Sequence, residues 1–281
     1  MSQTVLLTGA SSGIGEGLAR EYARRGARLV LLARRLDRLQ QLADELRTAG
    51  ADVVIHQADV TVEGDVAAAV RACRERGFDI DIVYANAGFG VAGTLPRLQL
   101  ADYRRQFETN VFGLLRTIYE TLETLRATRG RLVLVGSVAG HVAGPASSAY
   151  AMSKFAVRAL AESLHGDLRT EGVGVTLVSP GFVDSDIRRT DNRGMLQADA
   201  PDPVPAWLRV PTGAAVKEIV RGVERGRAEI VVTGHGKVIV FLARHFPRLV
   251  RALILRNYRG RPEPKGRRRE SATGVQADSK Q

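Results

Sequence analysis

A chain of 281 residues, 44% hydrophobic and 25% charged, holds enough apolar material for one sizeable core and is excluded from the disordered classes by composition. Its single cysteine, Cys73, excludes an intrachain disulfide and fits a reducing compartment. The net charge of +11 is uneven: residues 237–281 carry twelve Lys or Arg against Glu263, Glu270 and Asp278, a net +9 that leaves +2 for residues 1–236. That distribution points to a near-neutral body with a basic end, and nucleic acid is not the expected partner.

The first predicted strand, Thr4 to Thr8, is too short for a signal peptide and runs directly into a glycine loop, so a cytoplasmic chain is expected. That loop reads Thr8-Gly9-Ala10-Ser11-Ser12-Gly13-Ile14-Gly15. Glycines at this spacing remove the Cβ atoms that would keep a pyrophosphate from a helix N-terminus. Further short apolar runs follow at Arg28 to Ala33, Asp52 to Gln57, Ile80 to Ala85, Arg131 to Gly136, Gly174 to Ser179 and Glu229 to Thr233. Between them lie helical patterns at Gly15 to Arg25, Leu36 to Ala49, Glu63 to Arg76, Leu100 to Arg126, Ser148 to Glu171 and Thr212 to Arg225. Gly26, Gly50, Gly77, Gly130, Gly172 and Gly226 stand where these helices should stop. Alternating strands and crossover helices predict an α/β fold with a Rossmann-like, doubly wound, parallel seven-stranded sheet in a single domain.

Three regions are expected: a dinucleotide-binding catalytic domain over 1–235, an amphipathic helical extension over 236–259, and a basic disordered tail over 260–281. Residues 184–211, with four prolines and Trp207, interrupt the rhythm and read as a substrate loop over the C-terminal strand ends, or else as a surface loop. After the second strand comes Ala33-Arg34-Arg35, where a fold preferring NAD places a carboxylate. Guanidinium groups there suit a 2′-phosphate, which favours NADP(H) over NAD(H); the alternative is that Asp37 meets the ribose. Tyr150 and Lys154 lie one helical turn apart, with Ser137 upstream. Five histidines show no ligand spacing, so no metal is implied, and His141, following the Ser137 strand, reads as a solvated loop residue or else as one reaching the active-site rim.

The glycine loop, Asn86-Ala87-Gly88 and Tyr150-Ala151-Met152-Ser153-Lys154, with Ser137 thirteen residues before the tyrosine, resemble the short-chain dehydrogenase/reductase family over about residues 3–235. The resemblance implies an oxidoreductase of the EC 1.1.1 type interconverting a carbonyl and a secondary alcohol. It implies that Tyr150 exchanges the proton, Lys154 stabilises its phenolate and binds the nicotinamide ribose, Ser137 orients the substrate oxygen, and Asn110 holds a water leading to Lys154. By the same resemblance, Gly9, Ser11, Ser12, Gly13, Ile14, Gly15, Arg34, Arg35, Asp59, Val60, Asn86, Ala87, Gly88, Tyr150, Lys154, Pro180, Gly181, Val183 and Ser185 border the cofactor. Ser185 stands where that last segment often has threonine.

The apolar residues Phe89, Val91, Leu95, Met195, Leu196, Trp207 and Leu208 suit a steroid-like or long-chain acyl substrate. Homodimers or homotetramers through the long helices are expected from the resemblance. Neither apolar run after Gly236 reaches the ~20 residues of a membrane span. Together with Arg267 to Arg269 they suit peripheral contact with an anionic membrane, or a lid or dimer element. The rival class is a catalytically silent dinucleotide-binding regulator or membrane-surface scaffold.

Overall fold

The computed structural model describes residues 2–197 and 199–258, so the tail expected over 260–281 lies outside the described residues. Seven strands form one sheet: β1 (Thr4–Thr8), β2 (Arg28–Ala33), β3 (Val53–Gln57), β4 (Ile82–Ala85), β5 (Arg131–Val135), β6 (Gly174–Pro180) and β7 (Glu229–Val232). Their order is β3-β2-β1-β4-β5-β6-β7, with every pairing parallel. The direction of winding reverses between β1 and β4, which opens a crevice at the C-terminal strand ends.

Strand alternation splits the core in two. On one face Val5, Leu7, Leu29 and Leu31 pack with α1 (Gly13–Arg24), α2 (Leu36–Thr48) and α7 (Thr212–Glu224) through Leu18, Leu39 and Ile219. On the other, Leu6, Val30 and Leu32 meet α3 (Asp65–Glu75), α5 (Gly113–Thr128) and α6 (Ser148–Asp167) through Val70, Ile118 and Val157. Burial on both faces is why these strands read as unbroken apolar runs.

The expected helix over 100–126 is α4 (Leu100–Phe107), a π turn over Glu108–Phe112, and α5. Gly130 does not cap α5 with a positive φ; Arg129 takes that conformation at φ 50°. Gly130 is instead demanded by space, since a Cβ there would lie 2.4 Å from the Asp81 carbonyl oxygen. Residues 184–211 carry two short 3₁₀ turns, and Arg188 donates to the Asp202 carboxylate through its Nε and Nη2 at 2.7–3.1 Å. Beyond β7 come α8 (Gly234–His245) and α9 (Pro247–Tyr258), parted at Phe246 because the residue before a proline leaves the helical region.

Candidate active site

The glycine loop is shaped by contact. Gly9 sits at φ +68°, and a Cβ on Gly15 would lie 2.3 Å from the Gly9 carbonyl oxygen. A Cβ on Gly9 would strike the Ala87 backbone at 2.9 Å, and one on Gly13 would meet Ser185 Cβ at 3.0 Å. The loop therefore packs between Asn86-Ala87 and Ser185 and leads from the C-terminal end of β1 into α1. The Thr8 hydroxyl stitches β1 to β4: it donates to the Tyr84 carbonyl and accepts from the N–H groups of Asn86 and Ala87 at 3.0 and 3.1 Å. Asn86 Nδ2 returns a bond to the Thr8 carbonyl at 2.9 Å. Thr8 belongs to the quoted motif but was not among the expected site residues.

The two arginines after β2 differ. Arg35 donates to the hydroxyls of Ser11 and Ser12 at 3.1 and 2.9 Å, tying it to the loop. Arg34 is exposed, 3.8 Å from the Asp59 carboxylate and 3.4 Å from the Gly194 carbonyl oxygen. Asp59 also accepts from the Thr61 N–H and hydroxyl, and Val60 is buried against Gly113.

Ser137, Tyr150 and Lys154 come together. Ser137 follows β5 and caps a short 3₁₀ turn, its Oγ accepting from the Ala139 N–H at 3.1 Å. Lys154 is 5% exposed, and its Nζ donates to the Val135 carbonyl at 2.9 Å and lies 5.8 Å from the Tyr150 ring centroid. Burial depresses its pKa from 10.5 to about 8. Burial pushes the Tyr150 phenol up, opposed by the Ser137 hydroxyl and then by the Arg188 charge.

Asn110 occupies the π turn and is buried. Its side chain accepts from the Phe89 N–H at 3.1 Å and donates to the Phe89 carbonyl and to Ser153 Oγ, both at 3.1 Å. Gln106, one turn earlier, bonds the Val91 N–H at 2.6 Å and the Phe89 carbonyl at 2.8 Å. The two amides hold the segment after Gly88 in place. Asn192 then clips the 184–211 loop to it, exchanging two 3.0 Å bonds with the Ala92 backbone. Neither Gln106 nor Asn192 carries a sequence signal beyond being an amide.

Pro180, Gly181, Val183 and Ser185 leave β6 beside this centre. Ser185 Oγ lies 3.4 Å from the Val183 carbonyl, and Gly181 packs on Thr233 and His235. His141 is corrected: its side chain is 1% exposed, with Nε2 3.0 Å from Ser179 Oγ and 3.2 Å from Glu229 Oε1. The C-terminal helices cover it, and burial lowers its pKa to about 4. No metal-binding group of three or more His, Cys, Asp or Glu occurs among the described residues.

The short chain dehydrogenase family model matches residues 3–195. An Arabidopsis thaliana protein named 11-beta-hydroxysteroid dehydrogenase-like 4A is 35% identical over 261 residues, covering 91% of this chain and 84% of its own. Among solved structures, a short-chain dehydrogenase from Sphingobium yanoikuyae in complex with NADPH superposes with a TM-score of 0.70 at 28% identity, covering 92% of this chain and 93% of that one. One from Burkholderia phymatum in complex with NAD gives 0.78 at 26%, covering 88% and 95%. The chain belongs to the short-chain dehydrogenase family and has the Rossmann-like fold of its oxidoreductases.

Proposed function

We propose that the protein is an NADP(H)-dependent oxidoreductase that interconverts a carbonyl and a secondary alcohol on an apolar small molecule. The observation that carries this reading is a phenol bracketed by a hydroxyl and by a buried ammonium, Tyr150 between Ser137 and Lys154. A free phenol ionises near 10 and is a poor base at neutral pH. A cation nearby stabilises the phenolate, and Lys154, one helical turn away, supplies it together with the Arg188 charge. In reduction Tyr150 gives its proton to the carbonyl oxygen, Ser137 donates a hydrogen bond to that oxygen, and Lys154 compensates the phenolate left behind. The side-chain amide of Asn110 is engaged with Phe89 and Ser153. A water leading to Lys154 would therefore fall to the Asn110 main-chain carbonyl inside the π turn.

A dinucleotide fits the residues present, because Gly9, Gly13 and Gly15 let the loop close tightly on itself, on Asn86-Ala87 and on Ser185 ahead of α1, the close-turned form that brings a helix N-terminus to a pyrophosphate. When bound it supplies the hydride. Arg34 presents an exposed guanidinium for a 2′-phosphate, and Arg35 with Ser11 and Ser12 lines the approach, which favours NADP(H) over NAD(H). Asp59 and Val60 would meet the adenine, Asn86 to Gly88 the central part, and Pro180 to Ser185 the nicotinamide. Buried Phe89 and Val91, with exposed Leu95 and, from the 184–211 loop, exposed Met195, favour a steroid-like or long-chain acyl substrate. Replacing Tyr150 with Phe tests the reading: NADPH binding, followed by its fluorescence, should persist while turnover on a carbonyl panel falls about 100-fold or more. Turnover near the parent level removes Tyr150 from the chemistry, and binding without any turnover in the parent favours the silent regulator.

The exposed Tyr119 on α5 and Met152 and Phe155 on α6 support a homo-oligomer through these helices. The extension supports peripheral attachment of a cytoplasmic enzyme to anionic membranes. Val238, Phe241, Phe246, Leu249, Leu253 and Leu255 are 45–57% exposed, set among Lys237, Arg244, Arg248, Arg251 and Arg256. No acidic residue stands between Glu229 and Glu263. No helix among the described residues is long and apolar enough to cross a bilayer. Parent protein should sediment with phosphatidylserine vesicles at low salt, and a Leu249→Asp, Leu253→Asp variant should not. Equal sedimentation of the two excludes α9 as the contact.

A further inference from the structure

Where β6 ends, the backbone that would border the nicotinamide is held by a residue with no assigned role. The Gly181 N–H donates to the Val232 carbonyl at 3.2 Å, and the next one, that of Phe182, donates to His235 Nε2 at 3.0 Å. A backbone N–H can only donate, so Nε2 is a bare acceptor, the ring is neutral and its proton sits on Nδ1. The Thr233 hydroxyl lies 3.1 Å from the same Nε2. The imidazole also stacks on the Phe182 ring, with centroids 5.3 Å apart and planes 23° off parallel.

The surroundings are built to this arrangement. A Cβ on Gly181 would lie 2.4 Å from Thr233 Oγ1 and 2.7 Å from His235 Nε2, so only glycine lets the two segments close. Thr233 takes φ +83°, a conformation that β-branched residues rarely adopt, and its hydroxyl accepts the Gly236 N–H at 3.1 Å as the cap of α8. Such strain persists only where the neighbouring structure over-determines it. Thr233, His235 and Gly236 all lie beyond the segment 3–195 that matches the family model.

We infer that His235 is a positioning residue for the cofactor: by accepting the Phe182 N–H it fixes the Gly181–Val183 backbone at the edge of the nicotinamide site and fastens the C-terminal helices to it. This rests on the reading of Pro180 to Ser185 as the segment beside the nicotinamide. His235 does not touch the reacting atoms. Its loss should loosen cofactor binding before it slows the chemistry.

The test compares the parent with His235→Phe, which keeps an aromatic stack and removes the acceptor, and His235→Gln, whose amide oxygen can replace Nε2. The expected result is a KM for NADPH raised about fivefold in His235→Phe, the scale of one lost hydrogen bond, with kcat within about twofold and most of the loss restored in His235→Gln. Acid should do to the parent what the Phe substitution does, because a protonated Nε2 cannot accept. Phe182 faces the ring from the β6–α7 connection and Thr233 from the end of β7, neither ionises, and burial alone lowers the His235 pKa below 6.5. The parent's KM should therefore climb as pH falls below about 6.5, more steeply than that of His235→Gln. Titration of the 2′-phosphate is common to both proteins, so the difference belongs to His235.

Should His235→Phe fail to fold, this pH comparison carries the test alone. An unchanged KM in His235→Phe, no restoration by Gln, or superimposable pH profiles for parent and His235→Gln overturns the inference while the oxidoreductase reading stands. A parent that shows no fluorescence change with NADPH overturns both.

Discussion

Lys154 should make the protein less stable than it would be without it. A lysine held at about 8 against an ordinary 10.5 disfavours its charged form by about 3 kcal/mol. Exchange for methionine, unbranched and of similar bulk, removes that cost and also one hydrogen bond to the Val135 carbonyl, worth about 1 kcal/mol. Lys154→Met should thus be about 2 kcal/mol more stable than the parent at pH 7, while losing turnover. The pH dependence gives the sign independently. Between about 8 and 10.5 the unfolded chain binds a proton that the folded chain releases, so parent stability rises with pH across that window; below 8 both states are charged and the full penalty persists. The clean interval is pH 8 to 9, because the Cys73 thiol, pushed by burial from 9.0 to about 11, acts in the opposite direction above it. Urea unfolding without cofactor, at fixed protein concentration, should be followed by far-UV circular dichroism, since Trp207 is 83% exposed and a poor reporter of the core. A methionine variant less stable than the parent at pH 7, or parent stability flat from pH 8 to 9, refutes the reasoning.

Arg34→Ala should weaken NADPH about tenfold or more and leave NADH within about twofold, since only NADPH has a 2′-phosphate for the guanidinium to meet. Equal losses in a fluorescence titration would assign Arg34 to another task. His141 gives an acid limb: its folded pKa, lowered from 6.5 to about 4, means the unfolded chain takes up a proton that the folded chain refuses as pH falls through that range. Parent stability should drop by up to about 3 kcal/mol from pH 6.5 to 4, and His141→Gln should lose less; identical acid limbs in urea melts would contradict the buried neutral imidazole.

The strands were legible because a parallel sheet covered on both faces needs no polar alternation, so each run announces itself without regard to its neighbours. Helix ends at Gly26, Gly50, Gly77, Gly172 and Gly226 were legible because each takes a positive φ that a side chain resists. Gly130 stood in the right place for a different reason, steric approach to Asp81, which no local pattern encodes. The juxtaposition of Ser137, Tyr150 and Lys154 followed from helical spacing and from the resemblance. Long-range ties did not follow: Arg35 to Ser11 and Ser12, Asn192 to Ala92, and Phe182 to His235 join residues 23 to 100 positions apart through one or two hydrogen bonds each. His141 was misread because its cover comes from α8 and α9, a hundred residues downstream, and loop position alone suggested solvent.

The π turn over Glu108–Phe112 sets a rule about chain length. A regular helix advances about 100° per residue, and a π turn accommodates one residue beyond that schedule. Gln106 before it and Asn110 within it face the Phe89–Val91 segment; downstream, Gly113, Leu114, Thr117, Ile118, Thr121 and Leu125 are buried. Deleting any one residue of 108–112 would let α4 and α5 merge into a helix of more regular hydrogen bonding. The same deletion would swing one of those two stripes by about 100° against the other, pulling either the amides from the crevice or the leucines from the core. Insertions and deletions should therefore be admitted at the tip of the 184–211 loop and refused here, although this stretch, taken alone, would gain from losing a residue.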